Sequence, residues 1–220
     1  MTNLIIRDLG LCPYQDTLQA MQHFTLTRDK STPDELWILE HPPVFTAGLT
    51  SKEADLLNPG DIPVVKIDRG GQVTYHGPGQ LIAYTLLDLS RLGIGVKALV
   101  AHLEQTVINL LGEYGVNGQH RDNAPGVYVD SAKIASLGLR IKKSRCYHGL
   151  SLNVAMDLEP FQRIVPCGLH DVSMTQLRNF SPDVDIQQVK TRLIAHITQQ
   201  VGYNLGAAIF EKSLPDINPS

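Results

Sequence analysis

The chain has 220 residues, 43% of them apolar and 19% charged, with a formal net charge of −3. That length allows one large domain or two small ones with a substantial core, while the acidic balance excludes the basic excess of a nucleic-acid binder. No apolar run approaches the ~18 residues needed to span a bilayer, and three cysteines, Cys12, Cys146 and Cys167, are too few and too unpatterned for a disulfide framework. The N-terminal MTNLIIRDLG lacks the basic and apolar regions of a signal peptide. A reducing cytoplasm is therefore expected, where a free thiol stays available for chemistry.

In chain order, Leu4–Arg7 reads as a strand, and Pro13–Lys30 as a helix with proline in its first turn and Tyr14, Leu18 and Met21 on one side. Glu35–Leu39 is a strand stopped by His41-Pro42-Pro43. Val64–Asp68, Val73–Tyr75 and Leu81–Leu87 are short strands, the last two separated by the HGPGQ turn. Val96–Tyr114 carries a full helical stripe (Val96, Leu99, Val100, Leu103, Val107, Leu110, Leu111, Tyr114) with Gly115 as its C-cap. Gly126–Val129 and Lys133–Ile141 predict a hairpin around Asp130-Ser131, and Tyr147–Val154 a further strand. A last helix is expected over Asp185–Val201. Two helices flanking hairpin-like strands give α+β order, not a doubly wound parallel sheet. One domain, residues 1–213, is the simplest reading, with 214–220 as a polar, proline-bearing, loosely held tail.

Four segments carry chemistry. RGGQVTYHGPGQ, Arg69–Gln80, has five Gly or Pro in twelve residues. Glycine lets backbone approach a ligand, and Arg69, Tyr75 and His76 can orient a polar head, yet the segment is neither GxxxxGK[ST] nor a strand–GxGxxG–helix turn. VPCGL, Val165–Leu169, places Cys167 between proline and glycine, in a sharp turn whose N–H groups could face an oxyanion. A buried structural cysteine fits that pentapeptide as well. In AKIASLGLR, Lys133 sits in an apolar strand. It could snorkel from an edge, or stand near a thiol, lower its pKa from about 8.5 and later accept a proton. YHGLSLN, Tyr147–Asn153, fits a plain core strand or the wall of an acyl channel, with Gly149 leaving space. Cys146-x-His148 and Cys167-x-x-His170 could supply two thiols and two imidazoles to zinc, but the paired spacings of structural zinc modules are missing. His23, His102, His120 and His196 are scattered.

Together these segments resemble the lipoyl(octanoyl) transferase family. RGGQVTYHGPGQL is similar to that family's signature, and AKIASLGLRI, YHGLSLNV and VPCGL to its other motifs, in the same order, from about Glu35 to Leu177. The resemblance implies the fold of the biotin and lipoate protein ligase catalytic domain, a mixed, largely antiparallel sheet packed with helices. It implies Cys167 as acyl-thioester nucleophile and Lys133 as its activating partner. It implies a substrate site of Arg69, Gly70, Gly71, Gln72, Val73, Thr74, Tyr75, His76, Ser136, Leu137, Gly138, Gly149, Leu150 and Ser151. Two departures are visible: Thr85 stands where the family has proline, and Ser144-Arg145-Cys146 replaces a Trp-x-Thr stretch.

The implied reaction moves an octanoyl group from acyl carrier protein to Cys167, then to a lysine of a lipoyl domain. The acceptors implied are the 2-oxoacid dehydrogenase complexes and the H protein of glycine cleavage. Thioester to amide is downhill, so no ATP, metal or dissociable cofactor is implied, nor any membrane or nucleic-acid partner. Two other classes remain. An ATP-dependent ligase would need an adenylate-binding GRGxxG-type stretch, which this sequence lacks. A non-catalytic binder would have no use for the Cys–Lys pair. The basic run Arg140, Lys142, Lys143, Arg145 is either a solvated turn or a landing site for the acidic carrier.

Overall fold

The computed structural model describes residues 3–122, 124–165 and 172–215. Cys167 and residues 216–220 of the expected tail lie outside them; Leu214, at the tail's start, packs against an apolar cluster.

The chain opens with strand β1 (Leu4–Leu11), helix α1 (Tyr14–Thr27), and strands β2 (Asp34–Glu40) and β3 (Val44–Ala47). Then come β4 (Val64–Lys66), β5 (Val73–His76), β6 (Gln80–Leu86), a one-turn helix α2 (Leu89–Leu92) and the long α3 (Val96–Gly112). The second half holds β7 (Gln119–His120), β8 (Gly126–Val129), β9 (Ala132–Lys142), β10 (Arg145–Asn153), α4 (Ile186–Gln200) and β11 (Ile209–Glu211). Among the described residues the large sheet runs β11-β1-β2-β6-β10-β9-β8-β7, beside a small sheet β4-β3-β5. Most large-sheet pairs are antiparallel, but β1 runs parallel to both β2 and β11. The fold is α+β, as the order of elements predicts.

Local chemistry explains the boundaries. Pro13 takes the capping position of α1, just outside the first turn where the sequence places it. Helix α3 ends in a Schellman closure: Gly115 adopts φ +71°, Gly115 N donates to Gly112 O (3.0 Å) and Val116 N to Leu111 O (3.0 Å). Asp185 caps α4 by accepting from Gln187 N at 2.9 Å. The β9–β10 hairpin turns on Lys143 and Ser144, at φ 51° and 63°, the two-residue turn whose twist suits paired strands.

One face of the large sheet packs α3 and α4, through Leu99, Leu103, Val107 and Leu110 against Leu36, Leu81 and Leu150. Each such side chain contributes roughly 1.5–3 kcal/mol by burial. The other face packs α1 on Trp37, Ile82 and Tyr84. The small sheet closes over that second face at one side, with its own cluster of Phe45, Val73, Tyr75 and Phe161. A buried charge cluster ties the ends together: Asp34 accepts from Arg28 and the Tyr203 hydroxyl and forms an ion pair with Arg91.

Candidate functional site

A cavity of about 360 Å³ opens where the large sheet, the glycine-rich segment and the start of α3 meet. Its floor consists of small residues in cross-strand register. Gly138 faces Gly149 and Ser136 faces Ser151 on β9 and β10. On β6, Tyr84 stands opposite Gly149 and Ile82 opposite Ser151, and both continue the same wall.

Lys133 reaches this cavity through an irregularity. Val127 pairs with Ala135, but Tyr128 pairs with Lys133, so β9 carries one extra residue, Ile134. Ile134 and Ala135 both enter the helix-side core, while Lys133 and Ser136 both line the cavity. Strict alternation would send Lys133 and Ser136 to opposite faces; the bulge puts them on one. The Lys133 stem lies against Gly126, where a Cβ would stand 2.4 Å from Lys133 Cε. Its Nζ sits 5.4 Å from the centroid of the Tyr128 ring, within cation–π range. The Lys133 backbone is bracketed by the segment that follows VPCGL. Lys133 N donates to Ser173 O (2.8 Å) and Thr175 N to Lys133 O (2.9 Å).

The glycine-rich segment forms the rim. Arg69 is 8% exposed, and its Nη2 donates to Thr46 O (3.0 Å), Thr46 Oγ1 (3.0 Å) and Gln72 O (2.8 Å), so the guanidinium braces the loop. Gly138 gives its stem room, since a Cβ there would meet Arg69 Cδ at 2.9 Å. Arg69 to Gln72, Thr74 and His76 line the cavity. Val73 and Tyr75 do not. They alternate to the far side of β5 and pack in the small-sheet cluster, so the continuous run expected from the signature segment divides between two faces. Gly149 also differs from its expected role. It leaves no side-chain space in a channel, because a Cβ there would lie 2.0 Å from Ala83 O.

A polar chain crosses the site. Gln80 Nε2 donates to Asn153 Oδ1 (2.9 Å) and Tyr75 O (3.3 Å), so its Oε1 is the acceptor for His76 Nδ1–H at 2.7 Å. Asn153 Nδ2 donates to Thr175 O (2.9 Å), which links the rim to the strand segment bracketing Lys133. His41 Nδ1 donates to Cys12 O (2.7 Å), leaving Nε2 to accept from Tyr84 Oη–H at 2.8 Å. Tyr14 stacks on His76 with ring centroids 5.9 Å apart. His148, at φ 61°, faces Asp68, which the Tyr147 hydroxyl also bonds. Those hydrogen bonds from His148 and Tyr147 hold the Asp68 carboxyl down at about 2. Tyr14, Ile82, Tyr84 and His148 line the cavity without standing among the residues the sequence marks. The Tyr14, Leu18, Met21 spacing signals only a buried helix face.

Burial lowers His41 to about 4 and His76 to about 3, from 6.5. The sign of the resulting pH dependence is fixed. The unfolded chain takes up these protons first, so their stability contribution is complete above about pH 6.5 and is lost as pH falls through 4 and then 3. The His41 shift alone corresponds to about 3 kcal/mol. The urea midpoint is expected to fall steeply from pH 6.5 to 4; a flat midpoint over that window would contradict neutral, buried imidazoles.

Cys146 is no rival nucleophile. It is fully buried in the helix-side core, 3.8 Å from Thr85 Oγ1, and burial pushes its thiol up to about 12. The two departures from the family pattern thus touch each other, away from the cavity floor.

Residues 13–198 match the family model described as the lipoyl protein ligase A/B catalytic domain. The chain belongs to that family. It is 58% identical over 198 residues to the octanoyltransferase of Stutzerimonas stutzeri, covering 90% of each chain. It is 56% identical over 197 residues to the octanoyltransferase of Pseudomonas aeruginosa, covering 90% and 91%. A lipoate protein ligase of Thermoplasma acidophilum shares the fold at TM-score 0.75 and 16% identity, over 97% of this chain and 87% of that one. A biotin protein ligase from Aquifex aeolicus matches at TM-score 0.53 and 15% identity, over 92% and 70%. Among the described residues no helix is long and apolar enough to cross a membrane.

Proposed function

We propose that this chain transfers an octanoyl group from acyl carrier protein to a lysine of a lipoyl domain, through a thioester on Cys167, in the cytoplasm. Octanoyl transfer is the activity recorded for relatives 55–58% identical along 90% of the chain. The observation that carries the reading to named residues is the bulge that brings Lys133 onto a cavity floored by Ser136, Gly138, Gly149 and Ser151. Ser173, which pairs with the Lys133 backbone, stands six residues after Cys167.

In the first half-reaction the Cys167 thiolate attacks the thioester carbonyl, and the carrier's sulfur leaves with a proton given up by the Lys133 ammonium, so that Lys133 ends the step neutral. One thioester replaces another, so little driving force is needed. The Lys133 ammonium stabilises the thiolate. In the second half-reaction the acceptor's ε-amine attacks the acyl-enzyme, an amide forms and the Cys167–acyl bond breaks. Lys133 then takes the proton shed by the amine. Arg69, Gly70, Gly71, Gln72, Thr74 and His76 form the rim that holds the acyl group against the sheet. Leu137 and Leu150 flank the floor. The lysines of lipoyl domains in 2-oxoacid dehydrogenase complexes and the glycine cleavage H protein are the acceptors this chemistry suits.

Intact-protein mass spectrometry tests the reading. Incubation with octanoyl carrier thioester, without ATP, should add one octanoyl group, and Cys167→Ala should remove the adduct. An adduct that persists in that variant, or a transfer that requires ATP, would refute the assignment.

A further inference from the structure

Helix α3 carries one half-buried carboxylate on a row that is otherwise apolar. Val96, Val100, Glu104 and Ile108 follow one another at four-residue spacing, so they share one side of the helix. Val96 and Val100 line the cavity, and Ile108 packs against the helix-side core. Packing alone gives no reason for a charge between them. Glu104 Oε1 accepts from Gly126 N at 2.9 Å, across the gap between α3 and the first residue of β8.

Gly126 is the residue on which the Lys133 side chain rests. A Cβ there would stand 2.4 Å from Lys133 Cε and 3.1 Å from Nζ, so a shift of this backbone shifts the lysine. Tyr128, two residues along and on the same face of β8, places its ring beside the same Nζ. Gly126 has φ +140° and no side chain of its own, and glycine is the residue that loses most freedom when fixed. Pro125 before it has no N–H, so Gly126 N is the first backbone donor after Ala124. Ala124 O is held by the Tyr128 hydroxyl at 3.1 Å, and Gly126 N by Glu104, so the entry to β8 is pinned at two points. We infer that Glu104 is a positioning residue, whose hydrogen bond to Gly126 fixes the trough that aims the Lys133 ammonium into the cavity. This rests on the reading of Lys133 as the acid–base group and adds what holds it in place.

Steady-state transfer from octanoyl carrier thioester to an apo lipoyl domain tests this, with thermal melts of every variant. Glu104→Met removes the acceptor and keeps an apolar stem against α3; Glu104→Ala is the second variant, lacking the stem. Both should lower kcat by about 10-fold, as a misplaced acid–base group does, with KM for the carrier thioester unchanged. Glu104→Gln keeps an oxygen acceptor and should stay within about 3-fold of the parent. In a Lys133→Met background Glu104→Met should slow transfer by less than about 2-fold more, because the group it positions is already gone. Parental kcat in both the Met and Ala variants, whatever their melting temperatures, would overturn the inference. A loss in Glu104→Gln equal to that in Glu104→Met would overturn it too, since charge and not the hydrogen bond would then matter. So would a full further loss in the Lys133→Met background, which would place the action of Glu104 elsewhere. Unchanged turnover in Lys133→Met alone would instead refute the acid–base reading of Lys133, and this inference with it.

Discussion

Lys133→Met is expected to slow octanoyl transfer by about 10²–10⁴-fold, the range of a lost general acid–base group, with little loss of fold. Methionine keeps an apolar stem in the trough beside Gly126 and removes only the ammonium. Lys133 is 3% exposed and its Nζ faces the Tyr128 ring, so the charge is held in one place. Without it the Cys167 thiol should need higher pH to ionise, and the iodoacetamide rate–pH profile should move upward. Gly126→Ala tests the seat with the lysine retained. Gly126 has φ +140°, and its Cβ would stand 2.4 Å from Lys133 Cε and 2.6 Å from Ala135 O, so the stem must move. Its transfer rate should fall between those of the parent and Lys133→Met. If turnover and the alkylation profile were both unchanged in Lys133→Met, the lysine would be structural.

Gly149→Ala should damage the fold itself. Its new methyl would lie 2.0 Å from Ala83 O and 3.1 Å from Ala83 C, on the adjacent strand β6. Backbone cannot rotate away as a side chain can, so β6 and β10 must separate locally and lose ladder bonds. A loss of about 3 kcal/mol or more is expected, in the upper range for overpacking. Gly138→Ala meets the Arg69 stem at 2.9 Å instead. It should melt higher than Gly149→Ala while still disturbing the rim that Arg69 braces. Thermal melts of the two variants give the order, and equal melting temperatures would show that strand β10 has more freedom than its contacts imply.

Much of this arrangement is legible in the sequence, for identifiable reasons. The α3 stripe and the hairpin around Asp130-Ser131 stand out because period and turn chemistry agree. Val44–Ala47 is missed because it follows two prolines and is only four residues long. Ile209–Glu211 is missed because its pairing with β1 is set by distant chain. The parallel β1–β2 pair is also invisible locally, since α1 makes the crossover. Within the cavity, Ser136, Gly138 and Ser151 are found as members of motifs. Tyr14 and Tyr84 are not, because an aromatic residue on a helix or strand reads as ordinary core. Val73 and Tyr75 enter the expected site because a motif is contiguous, whereas a strand divides its residues between two faces.

The extra residue in β9 has a consequence for which length changes this strand can accept. Between Tyr128 and Ser136 the chain carries one residue beyond what a regular ladder needs, and the phase of the strand shifts there by half a repeat. A deletion of Ile134 would restore a regular ladder and leave Lys133 two residues from Ser136, still on the cavity face, with one core side chain lost. Loop insertions between Val129 and Ala132 change no phase inside the strand. Length variation among natural relatives should therefore collect in that turn, or remove the bulge residue alone. A functional relative with one residue fewer between Lys133 and Ser136 should show a regular ladder with its lysine on the same face; a bulge kept at that shorter spacing would contradict this account.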